Sequence, residues 1–202
     1  IIKLPSIWIL GLASATMYVT RYAINSWGVL YLQEIRGYSL IEAGGIISLN
    51  TFTGILGCVA FGFISDKYFK ARRPPVTLMF GIVEIISLIV IFFGPNSTIV
   101  LTIAFLVYGF TLSGLLAVLG GLFALDIAPK NISGAAMGFI GLFSYIGAGI
   151  QEKISSLLIK TSTLETSSDL VYNFDSAILF WVIASVISFL LSLTLWNKKI
   201  ED

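Results

Sequence analysis

Three polar residues follow one another at helical spacing inside a long apolar stretch near the start of the chain: Tyr18, Arg21 and Asn25. Residues three and four positions apart lie on the same face of an α-helix, so these side chains would form one polar stripe. A guanidinium group presents its donors as a planar fork that matches the oxygens of a phosphate or a carboxylate. The stripe therefore predicts a binding site for an anion, with Arg21 as its central residue.

Other charged residues also lie inside apolar stretches, and they leave alternatives open. Arg21 could instead pair with Glu84 or Glu152 and serve only to fix helix packing. Glu152 and Lys153 are neighbours in sequence, so they do not face each other on a helix and each needs its own partner or water. They either line a cavity or are structural. Glu84 is interpreted as a protonated packing residue, with proton carriage as the alternative.

The composition excludes several classes of protein. Of the 202 residues, 57% are hydrophobic and 11% are charged, with no histidine and one cysteine. A soluble domain carries about 25% charged residues, so this chain is expected in a membrane rather than among soluble enzymes. The lack of histidine excludes His-based catalysis, and a single Cys58 excludes an intrachain disulfide. We expect no enzymatic activity, no cofactor and no metal. A net charge of +1 gives no broad positive potential that would attract nucleic acid, so we expect no nucleic-acid partner.

The charged residues discussed above lie in or between long apolar stretches. These stretches are long enough to cross about 30 Å of hydrocarbon. They predict six transmembrane helices, at residues 7–33, 43–64, 76–93, 99–125, 132–159 and 174–196. The stretches are too long for β-barrel strands of about ten residues, and helices satisfy their own backbone groups in lipid. The fold class is therefore an all-α membrane protein. Arg21 lies near the middle of the first stretch, where an arginine costs about 2.5–3.5 kcal/mol unless it faces protein or a water-filled cavity.

The distribution of lysine and arginine between the two sides of the six predicted helices predicts their orientation in the membrane. The polar stretch 161–173 is predicted to be an exposed connection on the side that carries few cations. By the positive-inside rule, both ends of the chain are expected in the cytoplasm. The cations on the proposed cytoplasmic side are Lys3, Lys67, Lys70, Arg72, Arg73, Lys130, Lys198 and Lys199, and those on the other side are Arg36 and Lys160.

Two further patterns have structural interpretations. Glycines at positions 134, 138 and 141 lie on one face of the fifth helix, and further glycines occur in the second and fourth helices. Most of these glycines are expected to permit close helix packing. Tryptophans near the ends of the apolar stretches are expected to be interfacial anchors. These are Trp8, Trp181 and Trp196.

The connection after the second helix reads GFISDKYFKARR over residues 62–73. This resembles the cytoplasmic loop motif of the major facilitator superfamily, and it lies between two predicted spans as in that family. The resemblance implies a conformational latch, in which an acid at a helix end pairs with basic loop residues. The residues concerned are Gly62, Asp66, Lys67, Arg72 and Arg73.

Two longer stretches, residues 18–38 and 124–147, resemble the seventh helix and the tenth-to-eleventh helix region of the organophosphate:phosphate antiporters. That family includes glycerol-3-phosphate and hexose-6-phosphate transporters and a related hexose-phosphate sensor. The resemblance implies that residues 1–202 form the C-terminal six-helix half of a twelve-helix transporter. It implies that Arg21 grips the substrate phosphate, that Tyr18 and Tyr145 line the cavity, and that a second arginine belongs to an N-terminal half.

The chain departs from this family at Ser26-Trp27, where many relatives have Asp-Trp, so the organic part of the substrate stays open. The leading hypothesis is a secondary transporter in the inner membrane that exchanges an organic phosphate, with hexose phosphate favoured, for inorganic phosphate. The substrate-binding candidates are Tyr18, Arg21, Asn25, Tyr145 and Lys153. Alternatives are a hexose-phosphate sensor that signals to a partner kinase, and a six-helix protein that dimerises.

Overall fold

The structure, a computed structural model, describes residues 4–129, 131–163 and 170–196. Within these ranges, six helices are long and apolar enough to cross a membrane, which confirms the predicted number. Each predicted stretch coincides with one helix. In chain order they are span 1 (Pro5–Glu34), span 2 (Leu40–Phe69), span 3 (Arg73–Phe93), span 4 (Thr98–Ile127), span 5 (Ser133–Leu158) and span 6 (Asp175–Thr194).

Span 2 differs most from its predicted limits of 43–64, and both ends have a local cause. Ser39 caps its first turn by accepting from the backbone N–H of Glu42, whose carboxylate accepts from the Ser39 backbone N–H in return. At the other end the helix continues through charged residues, which an apolar pattern cannot detect. It ends where Lys70 and Ala71 adopt the left-handed conformation, with φ of 53° and 63°.

Spans 1 and 4 each contain a short π-helical turn that the sequence pattern did not predict. In span 1 the π-helical residues are Ala23–Trp27, immediately after Pro5–Tyr22, and in span 4 they are Val118–Leu122. A π-helical turn inserts one extra residue into a helix and frequently occurs at functional sites. The turn in span 1 begins two residues after Arg21.

The connection predicted over 161–173 contains regular structure. Strand β1 (Lys160–Thr163) pairs antiparallel with strand β2 (Leu170–Asn173), with Thr161 opposite Tyr172. This two-stranded hairpin links spans 5 and 6 on the side opposite the cationic loop Lys67–Arg73, which we call the basic side. Of the cations used for orientation, four lie outside the described residues: Lys3, Lys130, Lys198 and Lys199.

Glycines permit the closest contacts between spans, as predicted for spans 2 and 4. A Cβ atom added at Gly57 would lie 1.8 Å from the carbonyl oxygen of Phe110, and one at Gly109 would lie 2.1 Å from that of Asn50. Spans 1 and 5 also approach closely at Gly147, where an added Cβ would lie 2.3 Å from the Ala15 carbonyl oxygen. These backbone contacts fix the distances between neighbouring helices.

Close packing through the glycine face of span 5 is not seen within the described residues, so for this face it stays a prediction. A Cβ atom added at Gly134, Gly138 or Gly141 would meet no atom within 4 Å among the described residues. Regular spacing places glycines on one face, but it does not determine what that face contacts.

The expectation of an interfacial anchor is wrong for Trp181. Its side chain is fully buried, and its Nε1–H donates a hydrogen bond of 2.8 Å to Ser155 Oγ. Its ring also packs against Phe92 and Phe174. The position of a tryptophan near the end of a span gives its depth, whereas the face of the helix on which it lies decides between lipid and core. Trp8 and Trp196 are partly exposed, at 38% and 37%.

Arg36 has a structural role that cation counting did not predict. It donates to the carbonyl oxygens of Ile91, Phe92 and Gly94, at 2.7, 3.0 and 3.2 Å, and to the Tyr31 hydroxyl at 3.0 Å. The last carbonyls of a helix have no partner within the helix and attract positive charge. Arg36 therefore closes the C-terminal end of span 3 and ties it to the end of span 1.

Candidate functional site

The predicted anion-binding residue Arg21 lies near the middle of span 1, half-buried among aromatic rings. Its guanidinium carbon is 5.4 Å from the centroid of the Tyr18 ring and 5.8 Å from that of the Tyr22 ring. The two rings are stacked, with centroids 6.1 Å apart. An aromatic face attracts a cation without neutralising it, so the guanidinium keeps its hydrogen-bond donors for another group.

Neither acid that could have paired with Arg21 does so. Glu152 accepts hydrogen bonds from the Ser26 hydroxyl and from Trp27 Nε1, the latter at 3.2 Å. Glu84 is fully buried and accepts from the Ser185 hydroxyl. No carboxylate forms an ion pair with Arg21 within the part of the chain that the structure describes. The interpretation of Arg21 as a structural ion-pair residue is therefore not supported in this conformation.

Span 5 contributes Tyr145 to the same site. Its ring meets that of Tyr18 edge to face, with centroids 5.8 Å apart, and its side chain is 65% exposed. The structure thus places Tyr145 against Tyr18, which in turn contacts Arg21, and the part of these residues in binding stays a prediction. It adds Tyr22, which was not among the predicted residues although it lies four residues after Tyr18 and directly follows Arg21.

The remaining predicted binding residues lie on accessible surface. Asn25 belongs to the π-helical turn of span 1 and is exposed. Lys153 is exposed on span 5, and its ammonium group forms no hydrogen bond or ion pair with any other described residue. Within the described structure neither residue forms a hydrogen bond with Arg21, so their part in the site stays a prediction.

The residues of the predicted latch lie on the basic side, but their pairing differs from the expectation. Asp66 is exposed and forms no ion pair within the described ranges. Arg73 pairs instead with Asp126 at the end of span 4, with 2.5 Å between Nε and Oδ2. Because span 3 begins beside the point where span 4 ends, the tertiary structure supplies an acid that the loop motif does not contain.

The other basic residues of the motif make no ion pair in the described structure. Lys67 lies over the rings of Phe63 and Tyr68, with Nζ 5.0 and 5.6 Å from their centroids. Arg72 is exposed, and Gly62 is half-buried with open space around it. In the described residues, no three His, Cys, Asp or Glu side chains converge in a way that could hold a metal ion.

The arrangement is therefore that of a polar patch in the middle of a membrane bundle. It contains one half-buried guanidinium group, three tyrosines and, further along the same two spans, a carboxylate that has its own donors. A cation at this depth is costly unless it contacts protein, water or a ligand. The patch can bind an anion by charge-assisted hydrogen bonds.

Comparisons with known proteins show which family this chain resembles. The chain is 37% identical over 147 residues to the membrane sensor protein UhpC of Salmonella typhimurium, an alignment that covers 72% of this chain and 33% of that protein. It is 34% identical over 142 residues to the glycerol-3-phosphate transporter of Bacillus subtilis, covering 70% and 32%. It is 35% identical over 145 residues to the probable hexose phosphate transport protein of Chlamydia trachomatis, covering 70% and 31%.

The chain thus spans about a third of the length of the curated relatives that it matches. Residues 1–151 match the family model of the Major Facilitator Superfamily, which covers the first five spans up to Gln151. Six membrane-spanning helices agree with that family. The chain belongs to the major facilitator superfamily, and its relatives match the organophosphate:phosphate antiporter family within it.

Proposed function

We propose that residues 1–202 form the C-terminal six-helix half of a secondary active transporter that exchanges an organic phosphate for inorganic phosphate, with hexose phosphate as the favoured organic substrate. The observation that carries this proposal is the half-buried Arg21, which lies over the rings of Tyr18 and Tyr22 without a carboxylate partner in the described structure. Both substrates share a phosphate group, and a planar guanidinium binds two phosphate oxygens at once.

The proposed mechanism has no covalent step, so the protein would act as a transporter and not as an enzyme. The phosphate dianion binds Arg21 and a second cation from the N-terminal half, which would repel each other in an empty site. Because the bound dianion offsets this repulsion, it stabilises the occluded form in which the two halves close around it. The halves then rock about the substrate, so that the site opens alternately to each side of the membrane.

Two features support a missing N-terminal half as the partner of this chain. Only 28% of the most apolar part of spans 2 and 5 is buried, against 39–56% in the other four spans. A Cβ atom added at Gly134, Gly138 or Gly141 of span 5 would meet no described atom within 4 Å. Since Arg21 and Tyr145 belong to spans 1 and 5, a second half placed against this side would complete the site.

The proposed orientation places the basic side in the cytoplasm. Lys67, Lys70, Arg72 and Arg73 all lie in or beside one connection, which the positive-inside rule assigns to the cytoplasm. Because six spans return the chain to the side on which it began, both ends of this segment would also be cytoplasmic. The membrane would be the inner, or plasma, membrane of the cell.

Substitution of Arg21 by lysine tests the proposal in the complete protein, reconstituted in liposomes loaded with inorganic phosphate. Lysine keeps the charge but loses the planar fork, so we expect phosphate exchange to fall by at least about tenfold. The matched control is Arg36→Lys, which alters the end of span 3 and is expected to lower thermal stability without lowering phosphate affinity. Normal exchange by the Arg21→Lys protein would overturn the proposal.

The second candidate function is a membrane sensor that binds hexose phosphate and signals to a partner kinase. The identity of 37% to a protein described as a membrane sensor favours it. Both functions need the same phosphate site, so the site alone does not separate them. Uptake of radiolabelled hexose phosphate, in cells that lack other carriers, does. Net uptake supports the transporter, whereas saturable binding without uptake supports the sensor.

A further inference from the structure

The carboxylate of Glu152 joins spans 1 and 5 beside the proposed phosphate site. It accepts a hydrogen bond from the Ser26 hydroxyl on one oxygen and from Trp27 Nε1 on the other, the latter at 3.2 Å. Both donors belong to the π-helical turn of span 1, whose extra residue changes the direction of the side chains that follow. The two donors hold the carboxylate in one orientation.

This carboxylate still has acceptor capacity. An ionised carboxylate offers about four lone-pair sites, and Ser26 and Trp27 occupy one on each oxygen. Glu152 is half-buried rather than enclosed, and Ser26 and Asn25 beside it are exposed. Free lone pairs on an accessible, oriented carboxylate match hydroxyl donors of a ligand, as charge-assisted hydrogen bonds.

The position of Glu152 relative to Arg21 follows from two contacts along the line where spans 1 and 5 meet. Tyr145 touches Tyr18, one turn before Arg21, and Glu152 touches Ser26. Seven residues separate Tyr145 from Glu152, which places them on one face of span 5 and about 10 Å apart along it. The guanidinium and the carboxylate therefore lie at different depths beside one continuous surface.

The opposite charges of Arg21 and Glu152 determine which end of a phosphate ester lies beside each residue. A phosphate dianion is attracted by Arg21 and repelled by the Glu152 carboxylate, so its phosphate group lies towards Arg21. The proposed hexose phosphate has an uncharged other end that is rich in hydroxyl donors, and these can donate to the Glu152 carboxylate. A six-carbon ester carries hydroxyls much further from its phosphorus than a three-carbon ester does, and inorganic phosphate has no organic part.

We propose that Glu152, oriented by Ser26 and Trp27, binds the hydroxyl groups of the organic part of the phosphate ester. It thereby selects a polyhydroxylated ester of hexose length over a shorter one. This inference rests on the proposed function, in which Arg21 binds the phosphate group. It assigns a specificity-determining role to a residue that phosphate binding itself does not require.

Competition binding to the complete protein tests this role, with labelled inorganic phosphate displaced by hexose 6-phosphate, by glycerol 3-phosphate or by unlabelled phosphate. In the Glu152→Gln protein, we expect hexose 6-phosphate to compete about tenfold more weakly, because a neutral amide accepts hydroxyl donors less strongly than a carboxylate. Inorganic phosphate should compete within about twofold of the unaltered protein. The matched control is Glu34→Gln, an exposed carboxylate at the end of span 1, which should change none of the three.

A second measurement keeps the inference testable if the Glu152→Gln protein does not fold. Hexose 6-phosphates that lack single hydroxyl groups are compared on the unaltered protein, where loss of a hydroxyl bound by Glu152 should weaken competition about tenfold. Where the Glu152→Gln protein does fold, the same deoxy compound should lose little more, because the two changes remove one interaction.

Two outcomes overturn the inference: an equal loss for all three competitors in the Glu152→Gln protein, or no loss for any deoxy compound on the unaltered protein. Failure of the proposed function looks different. In that case the unaltered protein binds no labelled phosphate, and Arg21→Lys changes nothing.

Discussion

Arg73 donates from Nε to Oδ2 of Asp126 over 2.5 Å, and this ion pair joins the start of span 3 to the end of span 4 on the basic side. The two side chains are 18% and 41% exposed, so the pair lies at the edge of the bundle rather than inside it. Spans 3 and 4 are otherwise connected on the opposite side, through residues 94–97. The pair therefore closes the open end of this helical hairpin.

Asp126→Asn should lower the free energy of unfolding by about 1 kcal/mol, the upper range for a partly exposed ion pair. Asp66→Asn should leave it unchanged within about 0.5 kcal/mol, since Asp66 has no ionic partner among the described residues. Thermal unfolding in detergent measures both. Equal losses for the two variants would contradict the assignment of the pair to Asp126.

Ala71→Gly should stabilise the protein by about 1 kcal/mol, because Ala71 has a φ of 63° and an L-residue with a Cβ is strained there. The matched comparison is Ala60→Gly inside span 2, where glycine weakens the helix by about 1 kcal/mol. Melting temperatures should therefore move in opposite directions. A lower melting temperature for Ala71→Gly would show that the left-handed turn after span 2 is not formed.

Two glycine-to-alanine changes should differ sharply. Gly57→Ala places a Cβ 1.8 Å from the Phe110 carbonyl oxygen, so spans 2 and 4 must separate, at a cost of about 3 kcal/mol or more. Gly138→Ala meets nothing within 4 Å in the described structure and gains about 1 kcal/mol of helix propensity.

The Gly138→Ala variant also tests whether the proposed N-terminal half packs against the glycine face of span 5. Stabilisation of the isolated six-span chain by Gly138→Ala, with destabilisation of the complete protein, would place another helix against this face. The same stabilisation in both would leave the face in contact with lipid and count against the proposed interface.

Arg36→Lys should lower the free energy of unfolding by about 1–3 kcal/mol, because an ammonium group cannot serve the carbonyls of Ile91, Phe92 and Gly94 in one plane. Phosphate affinity should not change, since these contacts lie at the end of span 3 and away from Arg21. Unfolding measured with and without phosphate separates the two effects. A loss of affinity as large as that of Arg21→Lys would contradict the structural role of Arg36.

The number and approximate limits of the spans could be predicted from hydropathy, because hydrocarbon thickness and backbone hydrogen bonding leave few alternatives for long apolar stretches. The stripe of Tyr18 and Arg21 could be predicted as well, because helical spacing is a local property. The π-helical turn at Ala23–Trp27 could not be predicted, since no residue type marks it.

The tertiary structure decided which of these residues meet. Helical periodicity groups residues on one helix face, but only the packing of spans against each other pairs Tyr18 with Tyr145, Ser26 with Glu152 and Arg73 with Asp126. The same holds for Trp181, whose surroundings differ from the expectation. Local spacing sets the direction of a side chain on its own helix, whereas its partner depends on residues far along the chain.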